Sequence, residues 1–177
     1  MKTETRYMQA FFLHYFIPQK GQDMIRVLFC CHGNICRSTL AESVFTYMVK
    51  KEGVENSFYI NSMATSTEEI GNPPHRGTVK KLQEVGIPVV PHRATQIQWS
   101  DYADYDYIIG MDRWNMKNLY RMLNGDPEGK LYKLLSFAGA DRDIADPWFT
   151  GNFDETYDDV TEGCEGFLRF LKENGKI

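Results

Sequence analysis

The stretch Val27-Leu28-Phe29-Cys30-Cys31-His32-Gly33-Asn34-Ile35-Cys36-Arg37-Ser38 constrains this chain more than any other. Its first residues form an apolar run that suits a strand buried on both faces of a parallel sheet. A loop of small and polar residues follows, opening with a thiol and closing with a guanidinium. Ser38 then suits a helix N-cap, and Leu40, Val44 and Met48 recur at helical spacing. A loop in this position aims successive backbone N–H groups inward, with the positive end of the helix behind them. That is an anion cradle. Arg37 can fork two N–H donors onto two oxygens of a tetrahedral oxyanion. Cys31 lies at the base of the same cradle, in a field that favours thiolate over thiol. Cys-x5-Arg alone is a weak signal; strand, Cys-x-Gly-Asn-x-Cys-Arg-Ser and helix together are strong. The plainer alternative is a strand-to-helix turn lined by buried cysteines.

Downstream, strand and helix signals alternate. Strands are expected at residues 25–30, 58–63, 106–110 and 130–135. Helices are expected over 38–51, with Gly53 at the stop, and over 76–86, with Val79, Leu82 and Val85 on one face. A third helix starts at Asp112 as N-cap, turns Leu119, Met122 and Leu123 inward and stops at Gly125. Residues 65–74 read as a polar loop, 87–90 as a short extended piece and 138–154 as a long loop. The last helix carries Tyr157, Val160, Cys164, Phe167, Leu168 and Leu171 as its apolar stripe. Such alternation predicts the α/β class: an open, doubly wound four-stranded parallel sheet with helices on both faces. Ligands of these sheets bind beyond the carboxyl ends of the strands, where the Cys31 loop falls.

A chain of 177 residues with 42% hydrophobic and 25% charged residues suits one globular domain with a single sizeable core. A net charge of −4 argues against nucleic acid or an anionic membrane as the main partner. The four cysteines are too few for a disulfide scaffold and lack zinc-ligand spacing. Cys30 and Cys31 are adjacent, so free thiols in a reducing cytoplasm are the economical reading. Cys30 and Cys164 read as structural. No metal or cofactor motif is present, and no nucleotide-binding Gly-x4-Gly-Lys-Ser/Thr. Within residues 1–23, Phe11-Phe12-Leu13 and Tyr15-Phe16-Ile17 are interrupted by His14 and ended by Pro18. This run is short for a signal core and has no small-residue cleavage site. We read residues 1–23 as an extension, either a start placed too early or an appendage, before a single domain of residues 24–177. A peripheral helix is the alternative.

From about Met24 to the C-terminus the chain resembles the low-molecular-weight protein tyrosine phosphatases. Besides the Cys31 loop, the resemblance rests on Thr65-Ser66, Ile70-Gly71-Asn72-Pro73-Pro74, His92-Arg93-Ala94 with Gln96-Ile97, Asp106-Tyr107-Ile108, Met111-Asp112 and Asp146-Pro147. It implies the phosphotyrosine protein phosphatase I-like fold and hydrolysis of phosphotyrosine in protein or peptide substrates, releasing inorganic phosphate. Such an enzyme needs no cofactor and is expected to be monomeric. The resemblance makes Cys31 the nucleophile that carries a phosphocysteine. Arg37 and the loop residues His32, Gly33, Asn34, Ile35, Cys36 and Ser38 become the phosphate cradle. Asp146, followed by proline and aromatics, matches the family's general acid, with Trp148 and Phe149 as pocket walls. From pattern alone, Asp-Pro marks a turn. Asn34 matches an asparagine held at positive φ, which its residue type tolerates, and His92 matches the histidine that braces it. Ser38 matches a serine that donates to the thiolate, and its N-cap role stands beside that. Cys36 matches a thiol that can close a disulfide with the nucleophile. Asp112 matches an aspartate near the pocket, and an N-cap role also explains it.

Two positions depart from the family pattern. Thr39 stands where proline is usual, which loosens the first helical turn. Glu68 stands where an aromatic residue usually rims the pocket. A related branch of the fold acts on phosphoarginine and carries threonine at the position of Ile35. Ile35 offers only apolar groups and favours an aromatic ring, whereas Glu68 favours a cation. Two further readings compete. Arsenate reductases share the loop but relay oxidation through two more cysteines, and none occurs between Cys36 and Cys164. A non-catalytic phosphate-binding module would be expected to lose Cys31 or Asp146.

Overall fold

The structure, a computed structural model, describes residues 24–177. The expectations for residues 1–23 lie outside the described residues. Four parallel strands form one sheet in the order β2-β1-β3-β4: β1 (Ile25–Cys31), β2 (Phe58–Ala64), β3 (Tyr107–Gly110) and β4 (Leu131–Lys133). Between and after them run α1 (Arg37–Lys51), α2 (Arg76–Glu84), α3 (Arg113–Met122), α4 (Pro147–Thr150) and α5 (Phe153–Glu173). Both sheet faces are covered, as the alternation predicts. Side chains along β1 alternate between the two layers. Val27, Phe29 and Cys31 pack with Leu40, Val44 and Phe45 of α1 and with Val160, Cys164 and Phe167 of α5. Leu28 and Cys30 face the other layer, with Ile97, Ile108 and Leu119. Phe45 meets Phe29, Phe58 and Phe167 at centroid distances of 5.1–5.8 Å, which ties both helices to the sheet.

β1 is central, and its neighbours β2 and β3 are reached by crossovers in opposite directions. That reversal opens a crevice at the strands' carboxyl ends, and the loop after Cys31 sits in it. The fourth strand stops at Lys133 rather than at residue 135. Leu134 and Leu135 instead enter a 3-10 turn, Leu134–Ala138, which buries both against the α5 layer. Besides a short 3-10 turn, Glu55–Ser57, two elements were not anticipated. The 3-10 segment Trp99–Asp104 closes its own capping box between Gln98 and Asp101, and α4 has only four residues. Neither is long enough to show periodicity. No helix among the described residues is long and apolar enough to cross a membrane.

Candidate active site

β1 ends at Cys31, α1 begins at Arg37, and the intervening residues 32–36 curl around the thiol. Asn34 makes the curl possible by adopting φ 57°, a left-handed conformation that asparagine tolerates. Its own N–H then points at Cys31 Sγ, 3.3 Å away. The Ser38 hydroxyl lies 3.0 Å from the same sulfur. Asn34 Nδ2 donates to Ser38 Oγ and to Ser62 Oγ, each at 2.9 Å. The Ser38 oxygen therefore receives one hydrogen bond and is free to send its own proton to the sulfur.

This brace continues inward. Asn34 Oδ1 accepts from His92 Nε2 at 2.7 Å and from the Thr95 N–H at 3.1 Å. His92 Nδ1 faces Glu42 Oε2 at 3.4 Å, and Ser62 Oγ donates to that carboxyl at 2.6 Å. Burial pushes the Glu42 carboxyl up to about 7, against the opposing effect of the Ser62 hydroxyl. Burial also lowers His92 from its ordinary value. The contact thus has the geometry of an ion pair although both partners are driven toward neutrality. Nε2 must carry a proton to reach Asn34, and below about pH 7 the carboxyl of Glu42 keeps a second one facing Nδ1. In that state the pair has no net charge.

The Arg37 guanidinium is buried beside the thiol. Nη1 donates to Asp112 Oδ2 at 2.5 Å and to the Ile144 carbonyl at 3.0 Å, and Nη2 donates to Asp146 Oδ2 at 2.8 Å. Burial alone would lower its pKa, but the negative charges of Cys31, Asp146 and Asp112 outweigh that and raise it. Nε is buried with no partner among the described residues. Nε–H and the adjacent Nη2 edge form the fork that fits two oxygens of one tetrahedral anion. A buried, unpaired charged donor is costly, and an anion in the cradle removes that cost.

Asp146 caps α4: Oδ1 accepts from the Trp148 N–H at 3.1 Å, and Pro147 occupies the first helical position. The cap holds the carboxyl at the mouth of a recess of about 250 Å³ that Cys31, Ile35 and Cys36 also line. Trp148 and Phe149 form one wall, 56% and 84% exposed, while His32, Gly33, Glu68 and Glu69 form the opposite rim. Glu68 is engaged there by His32 at 3.0 Å.

Cys31, Arg37, Asp146, the loop 32–36, Ser38, Trp148, Phe149 and Glu68 thus converge, while His92 stands behind the loop. Two expectations need correction, and the two readings of Asp112 hold together. Ser38 is not the N-cap: the helix starts at Arg37 after Cys36, whose side chain makes no capping bond, and the Ser38 hydroxyl turns to the sulfur. Thr39 does not leave the first turn loose, because its hydroxyl donates to the carbonyls of Ile35 and Cys36 at 2.9 and 3.0 Å. Asp112 is the N-cap of α3, through Asn115 N–H at 2.6 Å, and with its other oxygen it also holds Arg37. Sequence reasoning missed Glu42 and Ser62. Glu42 falls on the inward face of α1 at helical spacing from Ser38, a polar residue on an apolar stripe, and that signal could have found it. Cys36 is a buried free thiol. Burial, then the negative charges of Cys31 and Asp146, push it up to about 12.

A family model described as low molecular weight phosphotyrosine protein phosphatase matches residues 26–177. The low molecular weight protein-tyrosine-phosphatase YfkJ of Bacillus subtilis is 38% identical over 157 residues, covering 87% of this chain and 100% of that protein. The corresponding PtpA of Staphylococcus epidermidis is 34% identical, with 87% and 98% covered. The crystal structure of YfkJ superposes with a TM-score of 0.83 over 88% of this chain and 98% of that one. That of DARP, a Drosophila arginine phosphatase, is 31% identical with a TM-score of 0.77, covering 84% and 98%. By sequence and by fold, the chain belongs to the low-molecular-weight protein tyrosine phosphatase family.

Proposed function

We propose that the protein is a cytoplasmic, monomeric protein-tyrosine phosphatase working through a phosphocysteine. The observation that carries this reading is the sulfur of Cys31, faced by Ser38 Oγ and Asn34 N–H beside the unpartnered Nε of Arg37. The Cys31 thiolate attacks phosphorus and forms an S–P bond as the P–O bond to the tyrosine breaks. Asp146 gives its proton to the departing phenolate oxygen. The Asp146 carboxylate then takes a proton from water, whose oxygen attacks phosphorus. The S–P bond breaks, returning thiolate and releasing inorganic phosphate. Arg37 and the loop N–H groups hold the phosphoryl oxygens throughout. No metal or cofactor enters this sequence of steps. Cys36 is the proposed thiol partner of an oxidised Cys31.

The DARP likeness and the carboxylate of Glu68 favour a second reading, phosphoarginine hydrolysis. Ile35 argues against it. This side chain is buried in the recess and offers a guanidinium no acceptor, whereas a phenyl ring burying on the order of 100 Å² there gains roughly 2.5 kcal/mol. Glu68, moreover, is already engaged by His32. One experiment tests both readings. Wild type should hydrolyse a phosphotyrosine peptide with higher kcat/KM than its phosphoarginine counterpart. Cys31→Ser should lose turnover of both while still binding inorganic phosphate. A preference for phosphoarginine, or full activity in Cys31→Ser, refutes the proposal.

A further inference from the structure

On the far side of Trp148 from the catalytic recess lies a second, open recess of about 670 Å³. The two share Trp148 and differ in charge. The catalytic rim carries Glu68 and Glu69. The second recess is lined by Arg76, Lys80 and His75, with no acidic residue among its described lining groups. Arg76 and Lys80 are four residues apart on α2, so both side chains leave the same helix face. Arg76 is exposed and makes no ion pair among the described residues. Among the described residues Lys80 meets the exposed Glu84 at 3.7 Å, a contact of little strength, and its charge also acts at longer range on Asp154, which Lys81 already holds. His75 Nδ1 accepts from the Gly77 N–H, which leaves its Nε2 proton as a donor.

The floor is aromatic and rigidly built. The rings of Phe153 and His75 stack with centroids 5.3 Å apart and planes 3° from parallel, and Trp148 meets His75 edge-on at 5.8 Å. Gly77 lets Phe153 lie against the α2 backbone, since a Cβ there would come within 2.3 Å of the ring. Phe153 also packs on the cluster of Ile35, Cys36 and Ala94, so this floor is continuous with the catalytic loop.

We propose that this recess binds a carboxylate side chain of the substrate, an Asp or Glu that flanks the phosphotyrosine. The proposal rests on the phosphotyrosine reading and adds a sequence preference to it. Two cations and a donor over an aromatic floor, with no acidic residue lining the recess, are complementary to a carboxylate on an apolar stem. The reach is suitable, because three residues of extended chain span about 10 Å, enough to pass one indole. The acidic rim at Glu68 and Glu69 repels the same side chain, so only one flank of the phosphotyrosine is favoured.

The test uses phosphotyrosine peptides on one scaffold: neutral flanks, glutamates on the N-terminal side, and glutamates on the C-terminal side. For wild type, one acidic peptide should exceed the neutral one by about fivefold in kcat/KM, through KM rather than kcat, and the advantage should shrink with added salt. Arg76→Glu with Lys80→Glu should reverse that ratio, while Arg76→Lys should retain it; thermal melting checks that each variant is folded. Equal ratios in wild type and the charge-reversed variant overturn the proposal. Equal ratios with altered sedimentation also overturn it, and assign the recess to contact between copies of the chain. Failure of every peptide while an aryl phosphate is still hydrolysed overturns the phosphotyrosine reading itself.

Discussion

The cradle beneath Cys31 and the loop that carries Asp146 face each other across one recess, yet the chain holds them by opposite means. Asn34, Ser38, Ser62 and Glu42 are all buried, and side-chain hydrogen bonds run unbroken from Glu42 through Ser62, Asn34 and Ser38 to the sulfur, with His92 bonded to Asn34 beside them. Across from them, Asp146 is held by one turn of helix, a cap bond and Arg37, and the aromatics beside it project into solvent. The difference follows the chemistry. The phosphoryl group is the same in every substrate, so its donors are fixed in advance at low reorganisation cost. What leaves differs between substrates, and the wall beside it is open.

If the two walls divide the labour in this way, removing the proton at Asp146 should depend on the leaving group, whereas the cradle should not notice. Asp146→Asn keeps an acceptor for the Trp148 N–H but has no proton to give. Phosphotyrosine hydrolysis should fall about a hundredfold or more, and nitrophenyl phosphate cleavage less, because its leaving group needs protonation less. Single-turnover rates measure both. Equal losses would break the comparison.

This asymmetry also explains what could be read from the chain. The cradle was legible because strand, loop and helix start are contiguous, and contiguous residues carry periodicity and turn chemistry. The parallel sheet and both helix layers followed from the same alternation, whereas the strand order did not. The brace was not legible, because His92 lies 58 residues from Asn34 and Ser62 lies 28, and a lone histidine or serine has no local signature. His92 came only from family resemblance, and Glu42 not at all. Local propensity reads Ser38 as a cap because it cannot show that the hydroxyl has a better partner in Cys31, a partner that only the family resemblance pointed to. Leu134 and Leu135 read as strand because a buried apolar pair looks alike in a strand and in a 3-10 turn.

A smaller effect sharpens the buried side. Peroxide converts the Cys31 thiolate to a sulfenic acid. Cys36 then loses its proton and attacks that sulfur, expelling water and leaving a disulfide that added thiol reduces. Before oxidation the Cys36 thiol is pushed up to about 12 by burial and then by the charge of Cys31. Oxidation abolishes that charge. Cys36→Ser should therefore recover a few-fold less activity than wild type when thiol follows mild peroxide. Equal recovery would remove Cys36 from this role.

The smallest effect concerns the brace. The folded Glu42 pKa is raised from 4.5 to about 7. Stability present in full below 4.5 is accordingly lost as pH rises toward 7. Glu42→Gln mimics the protonated acid, accepting from Ser62 and donating to His92. Its melting temperature relative to wild type should rise by up to about 5 °C between pH 5 and pH 8. A difference that does not change with pH would mean that Glu42 is not held near neutrality.

The central claim, that Cys31 carries the phosphoryl group, has a direct test in the Asp146→Asn enzyme. With nitrophenyl phosphate the first step needs little help from an acid, while hydrolysis of the intermediate lacks its base, so the intermediate should accumulate. Acid quenching after mixing, followed by peptide mapping, should find the phosphoryl group on the peptide containing Cys31, after a burst of about one nitrophenolate per enzyme. The adduct should be absent from Asp146→Asn with Cys31→Ser. Steady turnover with no burst and no adduct, or an adduct that persists without Cys31, would contradict the account.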